Sequence, residues 1–106
     1  MCSVTVGGPA EAYSEFGAYG PIYPILFPIN HGILSFLGFS VVKPFIVHAP
    51  ARMAQEERAA CLAGYSRRLL SLASAATLPC PDMANYHGLV LKAAPRIRAV
   101  HTLGSC

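Results

Sequence analysis

Apolar and polar positions divide the chain into alternating strand-like and helix-like stretches. The opening residues Cys2-Ser3-Val4-Thr5-Val6 have strand composition and stop at Gly7-Gly8. From 21 to 38 the sequence is almost wholly apolar, with Ile22, Ile25, Leu26, Ile29, Ile33, Leu34, Phe36 and Leu37 recurring at three- and four-residue steps, which predicts a buried helix. Pro21 and Pro24 fit its first turn, Pro28 is expected to kink it, and Gly38 to close it with a left-handed residue. Residues 39–47 are β-branched and aromatic around Pro44, which predicts an edge strand. A second helix is predicted over 53–72, with Leu62, Tyr65, Leu69 and Leu72 on one face. Glu56 and Glu57 stand near its start and Arg67 and Arg68 near its end, as the helix dipole favours. No Ser, Thr, Asp or Asn offers itself as its N-cap after Pro50. Beyond Ser74 the periodicity fades into Pro79, Pro81, Gly88 and Pro95, the composition of a surface extension, with a short strand expected near Leu89-Val90-Leu91.

Strand, loop, helix, strand, helix and tail is the order of an α/β protein built on a parallel sheet. Two strands are too few to bury such a sheet on both faces, so the pattern reads as half of a larger fold. Composition agrees: 54% of the 106 residues are hydrophobic and 12% charged, more apolar surface than one small core hides, so a partner surface is expected. Every Lys and Arg lies at or after Lys43, and the first 42 residues carry only Glu11 and Glu15 as formal charges. The net charge of +3 is scattered, with no aromatic platform among the basic residues, so nucleic acid is excluded as the expected partner. Cys2, Cys61, Cys80 and Cys106 show no CxxC or zinc-type spacing and no charged secretory leader opens the chain, which predicts free thiols in a reducing, cytoplasmic setting and no metal. Cys61 and Cys2 are expected to act as small buried hydrophobes.

The candidate chemistry lies in the first loop. Paired glycines after a strand let the backbone approach a flat ligand, although alone they also describe an ordinary turn. Tyr13 and Tyr19 follow. Combined with Thr5-Val6-Gly7-Gly8, the segment from Ile25 to Leu34 containing Pro28, Asn30, His31 and Gly32, and Leu37-Gly38-Phe39 before Pro44, these residues resemble the flavodoxin-like NAD(P)H:quinone oxidoreductases over about Ser3 to Leu72. The resemblance implies a three-layer flavodoxin-like α/β domain of which residues 1–74 are the C-terminal part, followed by an extension at 75–106. It implies hydride transfer from NAD(P)H to a flavin, FAD or FMN, and on to a quinone, in a cytoplasmic homodimer. Thr5, Val6, Gly7 and Gly8 then stand where the family's Thr-Thr-Gly-Gly loop contacts the flavin, and Tyr13 and Tyr19 border the pocket where nicotinamide and quinone alternate. Val6 replaces the second Thr and removes one hydroxyl. Met1 directly precedes the strand, so the front half of the family's domain, with its phosphate-binding loop, is expected to have no counterpart here. Flavin affinity of this chain alone is therefore expected to be low or nil.

Two other readings compete. One is an inactive, truncated fragment or interaction module. The other is a membrane protein, since residues 22–42 contain no Asp, Glu, Lys or Arg, against which stand Pro24, Pro28, Asn30, His31 and Gly32. His31 is expected to be a structural histidine, bonded to a carbonyl or a partner chain. His48 is expected near a substrate or subunit edge, and His87 and His101 in the tail show no metal spacing.

Overall fold

The computed structural model describes residues 1–80, 84 and 86–91. Strand β1 (Ser3–Val6) pairs with β2 (Phe45–His48) in parallel, with Ser3 opposite Phe45 and Val6 opposite His48. The ladder extends by one bond at each end, from Phe45 N–H to the Cys2 carbonyl at 2.9 Å and from Ala49 N–H to the Val6 carbonyl at 2.8 Å. A parallel pair needs a long crossover, and helix α1 (Ile22–Ile29) lies within it. Helix α2 (Gln55–Leu70) follows β2, so the predicted α/β order is present.

The long apolar stretch does not form one buried helix. Regular α-helix runs only over Ile22–Ile29, and a π-helical turn spans Asn30–Ser35, where Phe36 N–H reaches the His31 carbonyl at 3.0 Å. Pro28 lies inside the helix without an N–H to give, and the bonding pattern widens just beyond it. Gly38, at φ +93°, ends the segment as expected. Burial departs further: Leu26 and Asn30 are covered, while Ile25, Ile29, Ile33, Phe36 and Leu37 face outward. Part of the expected excess of apolar surface lies on this segment, and part on Leu62, Leu69, Leu70 and Leu72.

The strand predicted at 39–47 is shorter and shifted, to Phe45–His48. Pro44 has no N–H for a ladder and stands just before the strand. Residues before it serve another contact: Val42 bridges Thr77 in antiparallel sense, Leu78 N–H donates to the Val41 carbonyl at 2.7 Å, and Lys43 N–H to that of Ala76 at 3.2 Å. Val41 and Leu78 form the buried centre of this contact, flanked by Tyr23 and Leu34. The chain after residue 74 thus begins by joining the core, and a small hairpin, β3 (Tyr86–His87) with β4 (Val90–Leu91), turns at Gly88 with φ +62°. The short strand expected near residues 89–91 is present, but as half of this hairpin.

Helix α2 starts two residues later than predicted and ends two earlier. Ala54 occupies its N-cap and has no side chain to accept a bond; the Glu57 carboxylate instead takes the Ala54 N–H at 2.7 Å, half of a capping box. The face turned to the sheet is Cys61, Gly64, Tyr65 and Arg68, with Leu62 and Leu69 pointing out. Phe45 decides this. Tyr65 packs on its ring at 5.3 Å, Gly64 lets the helix close onto it, and Arg68 lies 5.9 Å above it while donating to the Lys43 carbonyl at 2.9 Å. Cys2 and Cys61 are free and half-buried, whereas Cys80 is disulfide-bonded, against the expectation of free thiols throughout.

Candidate functional site at the end of the first strand

Loop closure after β1 brings the tyrosines together. Pro9 leads into a single 3-10 turn, Ala10–Tyr13, and the Ser14 hydroxyl donates to the Glu11 carbonyl at 2.8 Å. The chain then reverses so that Tyr19 N–H donates to the Ala12 carbonyl at 2.9 Å. This crossing runs so close to Gly17 that a Cβ there would lie only 2.3 Å from the Ala12 oxygen, so no other residue fits. Tyr13 and Tyr19 end up with ring centroids 5.3 Å apart, tilted by 53°.

Gly8 is the floor of this pair. A Cβ on it would meet the Tyr19 ring at 2.8 Å and the Tyr13 ring at 3.2 Å. Gly7 is the opposite case: nothing lies within 4 Å of where its Cβ would be, and it is exposed. One glycine is filled by the protein's own aromatics and its neighbour faces open space at the carboxyl end of a parallel strand, the end at which α/β sheets seat ligands. Tyr19 is 60% exposed and Tyr13 half-buried, so their rings border that space without closing it.

The structure thus gathers Gly7, Gly8, Tyr13 and Tyr19. Val6, the last residue of β1, adjoins them, whereas Thr5 alternates onto the other face with Ser3. That face lines a groove of about 490 Å³ beneath α2, between Phe45, Met53, Cys61 and Tyr65, where Ser3 Oγ donates to the Tyr65 hydroxyl at 3.3 Å. His48 joins the site from β2, its ring 5.7 Å from that of Tyr13. Sequence alone placed His48 near a substrate or subunit edge; the parallel register, invisible in a linear pattern, puts it beside Tyr13. His31 lies elsewhere, stacked on Phe27 at 4.6 Å with Nδ1 3.9 Å from the Cys80 sulfur, rather than bonded to a carbonyl. Among the described residues no group of three or more His, Cys, Asp or Glu is placed to hold a metal, and no helix is long and apolar enough to cross a membrane. His87 sits exposed in β3, while His101 and Cys106 lie outside the described residues.

Comparison with known proteins bears on the family and the fold. A family model described as "Flavodoxin-like fold" matches residues 1–69. The human ribosyldihydronicotinamide dehydrogenase [quinone] is 39% identical over 87 residues, which is 82% of this chain and 37% of that protein. The rat NAD(P)H dehydrogenase [quinone] 1 is 38% identical over 69 residues, 65% of this chain and 25% of its own length. A crystal structure from Klebsiella pneumoniae, assigned as a quinone reductase, superposes with a TM-score of 0.73 at 37% identity, covering 84% of this chain and 34% of that one. The chain therefore spans between a quarter and a little over a third of the length of these proteins. With the α/β order, the glycine loop and the paired tyrosines all in place, the chain belongs to the flavodoxin-like family of NAD(P)H quinone oxidoreductases.

Proposed function

We propose that this chain supplies one wall of a flavin-dependent NAD(P)H:quinone oxidoreductase site, in a cytoplasmic homodimer. The observation that carries the reading is the contrast between Gly8, packed under two tyrosines, and Gly7, open to space beside them. A flat ring laid on Gly7 meets main chain without a side chain in the way and has aromatic edges alongside. A flavin, FAD or FMN, fits that surface, and when bound it supplies the two-electron chemistry that accepts hydride from NAD(P)H and delivers it to a quinone. The chain's own part is to position and enclose. Gly7 and Gly8 bring the backbone close, Tyr13 and Tyr19 flank the space with neutral hydroxyls able to donate hydrogen bonds, and their rings displace water from it. Val6 and Thr5 bring the strand to this point, with Val6 offering no hydroxyl and Thr5 placed on the groove face.

The domain part is assigned to residues 1–74 and the extension to 75–106, with Leu78 as the extension's anchor. The outward Ile25, Ile29, Ile33, Phe36 and Leu37 support the dimer, since a patch of this kind is rarely left in water. They equally suit an interaction module without catalysis, and flavin binding separates the two. In a titration of FMN or FAD with the purified chain, the expected result is weak, saturable quenching of flavin fluorescence, because the described sheet has only two strands and offers one wall. Gly7→Ala should weaken it about fivefold or more, on the order of 1 kcal/mol, with no change in fold. Absence of saturable quenching, or quenching indifferent to Gly7→Ala, overturns the flavin reading in favour of the interaction module.

A further inference from the structure

We propose that His48 is a positioning residue that holds Tyr13 against Tyr19 at the mouth of the site; the inference rests on the reading above for its consequence, not for its geometry. Three observations converge. His48 is the register partner of Val6, so it stands level with the last strand residue before Gly7, at the carboxyl end of the sheet where ligands are seated. Its ring lies 5.7 Å from the Tyr13 ring at 52°, while Tyr19 lies 5.3 Å away on a 53° tilt, so Tyr13 has an aromatic neighbour from each of two separate segments. Directly after His48, Ala49 takes a left-handed conformation with φ 48° and ψ 50°, is buried, and donates the last ladder bond to Val6.

A non-glycine residue held in that region is strained, and such strain persists where the surroundings over-determine the backbone. Here it ends β2 abruptly and fixes the direction in which His48 leaves the strand. Tyr13 needs such a contact. It is the last residue of a single 3-10 turn in a largely exposed loop, and a turn of that length does not hold a large ring by itself. Tyr19, 60% exposed, is a loose neighbour, whereas His48 is anchored in the sheet. The loop's own backbone closure brings Tyr19 to Tyr13, and β2 supplies the sheet-anchored ring on the other side of Tyr13.

The test compares His48→Ala with His48→Phe, which keeps a flat ring. Two readouts are used: the ring-proton resonances of Tyr13 in the chain without ligand, and quenching of FMN. His48→Ala should shift the Tyr13 resonances, leave those of Tyr65 in place as evidence of an intact fold, and weaken FMN binding about two- to tenfold, the range a tilted aromatic pair provides. His48→Phe should preserve both. Tyr13 resonances unmoved by His48→Ala, or His48→Phe behaving like His48→Ala, overturn the proposal. If Tyr13 moves as expected while no chain, wild type included, quenches FMN, the positioning role stands and the flavin reading falls.

Discussion

Gly17→Ala tests the claim that loop closure, and through it the tyrosine pair, depends on one missing methyl group. The added Cβ would lie 2.3 Å from the Ala12 oxygen, 2.4 Å from its carbonyl carbon and 2.5 Å from the Glu11 oxygen. All three are backbone atoms, so no side chain can swing aside. Restoring ordinary contact distances requires a movement of about 1 Å or more. The Ala12 oxygen also accepts the Tyr19 N–H at 2.9 Å, and a displacement of that size takes this bond outside its useful range. The lost bond costs about 1 kcal/mol and overpacking another ~1–3 kcal/mol. The loop is exposed and can open locally, so its own opening free energy caps the global loss. Urea unfolding should therefore show a loss of about 1–3 kcal/mol. Hydrogen exchange at the Tyr19 amide should lose its protection, while the Phe45 and Ala49 amides, bonded to the Cys2 and Val6 carbonyls, keep theirs. A Gly17→Ala chain whose Tyr19 amide stays protected and whose stability changes by less than about 0.5 kcal/mol would refute the reasoning.

Gly7→Ala provides the contrast: with nothing near its Cβ, stability should stay within about 0.5 kcal/mol of wild type in the same urea titration. Leu78→Ala removes one of four buried hydrophobic residues among those described and should cost about 2–3 kcal/mol; a loss under about 1 kcal/mol would mean that the contact with Val41 holds nothing together. Glu57→Ala deletes the carboxylate that satisfies the Ala54 N–H, and thermal melts followed by circular dichroism should show a loss of about 0.5–1 kcal/mol, with Glu56→Ala as the smaller comparison. Phe36→Asp places a charge on an outward ring that is 83% exposed, and if the proposed dimer uses this segment, light scattering should find a monomer where the unaltered chain is dimeric, without loss of helix. An unchanged mass would remove this segment from the interface.

Local chemistry was largely readable in the sequence. Val4 and Val6 before Gly7-Gly8 mark a strand running into a close-approach loop, Gly38 marks the left-handed stop, and Glu57 and Arg68 mark the ends of α2, because each is a property of one residue and its near neighbours. The resemblance carried by Tyr13, Tyr19 and the Pro28 to Ile33 segment extended this to a family. Which side of each helix is covered was not legible. Periodicity reports an apolar face, but Phe45 selected Gly64 and Tyr65 over Leu62 and Leu69, and Ile25, Ile29, Ile33 and Phe36 stay largely exposed although they share one apolar stretch with the buried Leu26. The shift of β2 past Pro44 likewise followed from a competing contact, Val42 with Thr77, 35 residues away in the chain. The site divides along the same line. Gly7, Gly8, Tyr13 and Tyr19 stand close enough in sequence for a loop to gather them, whereas His48 reaches Tyr13 only through the parallel register of two strands separated by 38 residues of crossover, from 7 to 44. Sequence by itself determined the local conformations and the residues of the loop; pairing, facing and the third ring of the aromatic cluster depend on non-local contacts, and only the tertiary structure decided them.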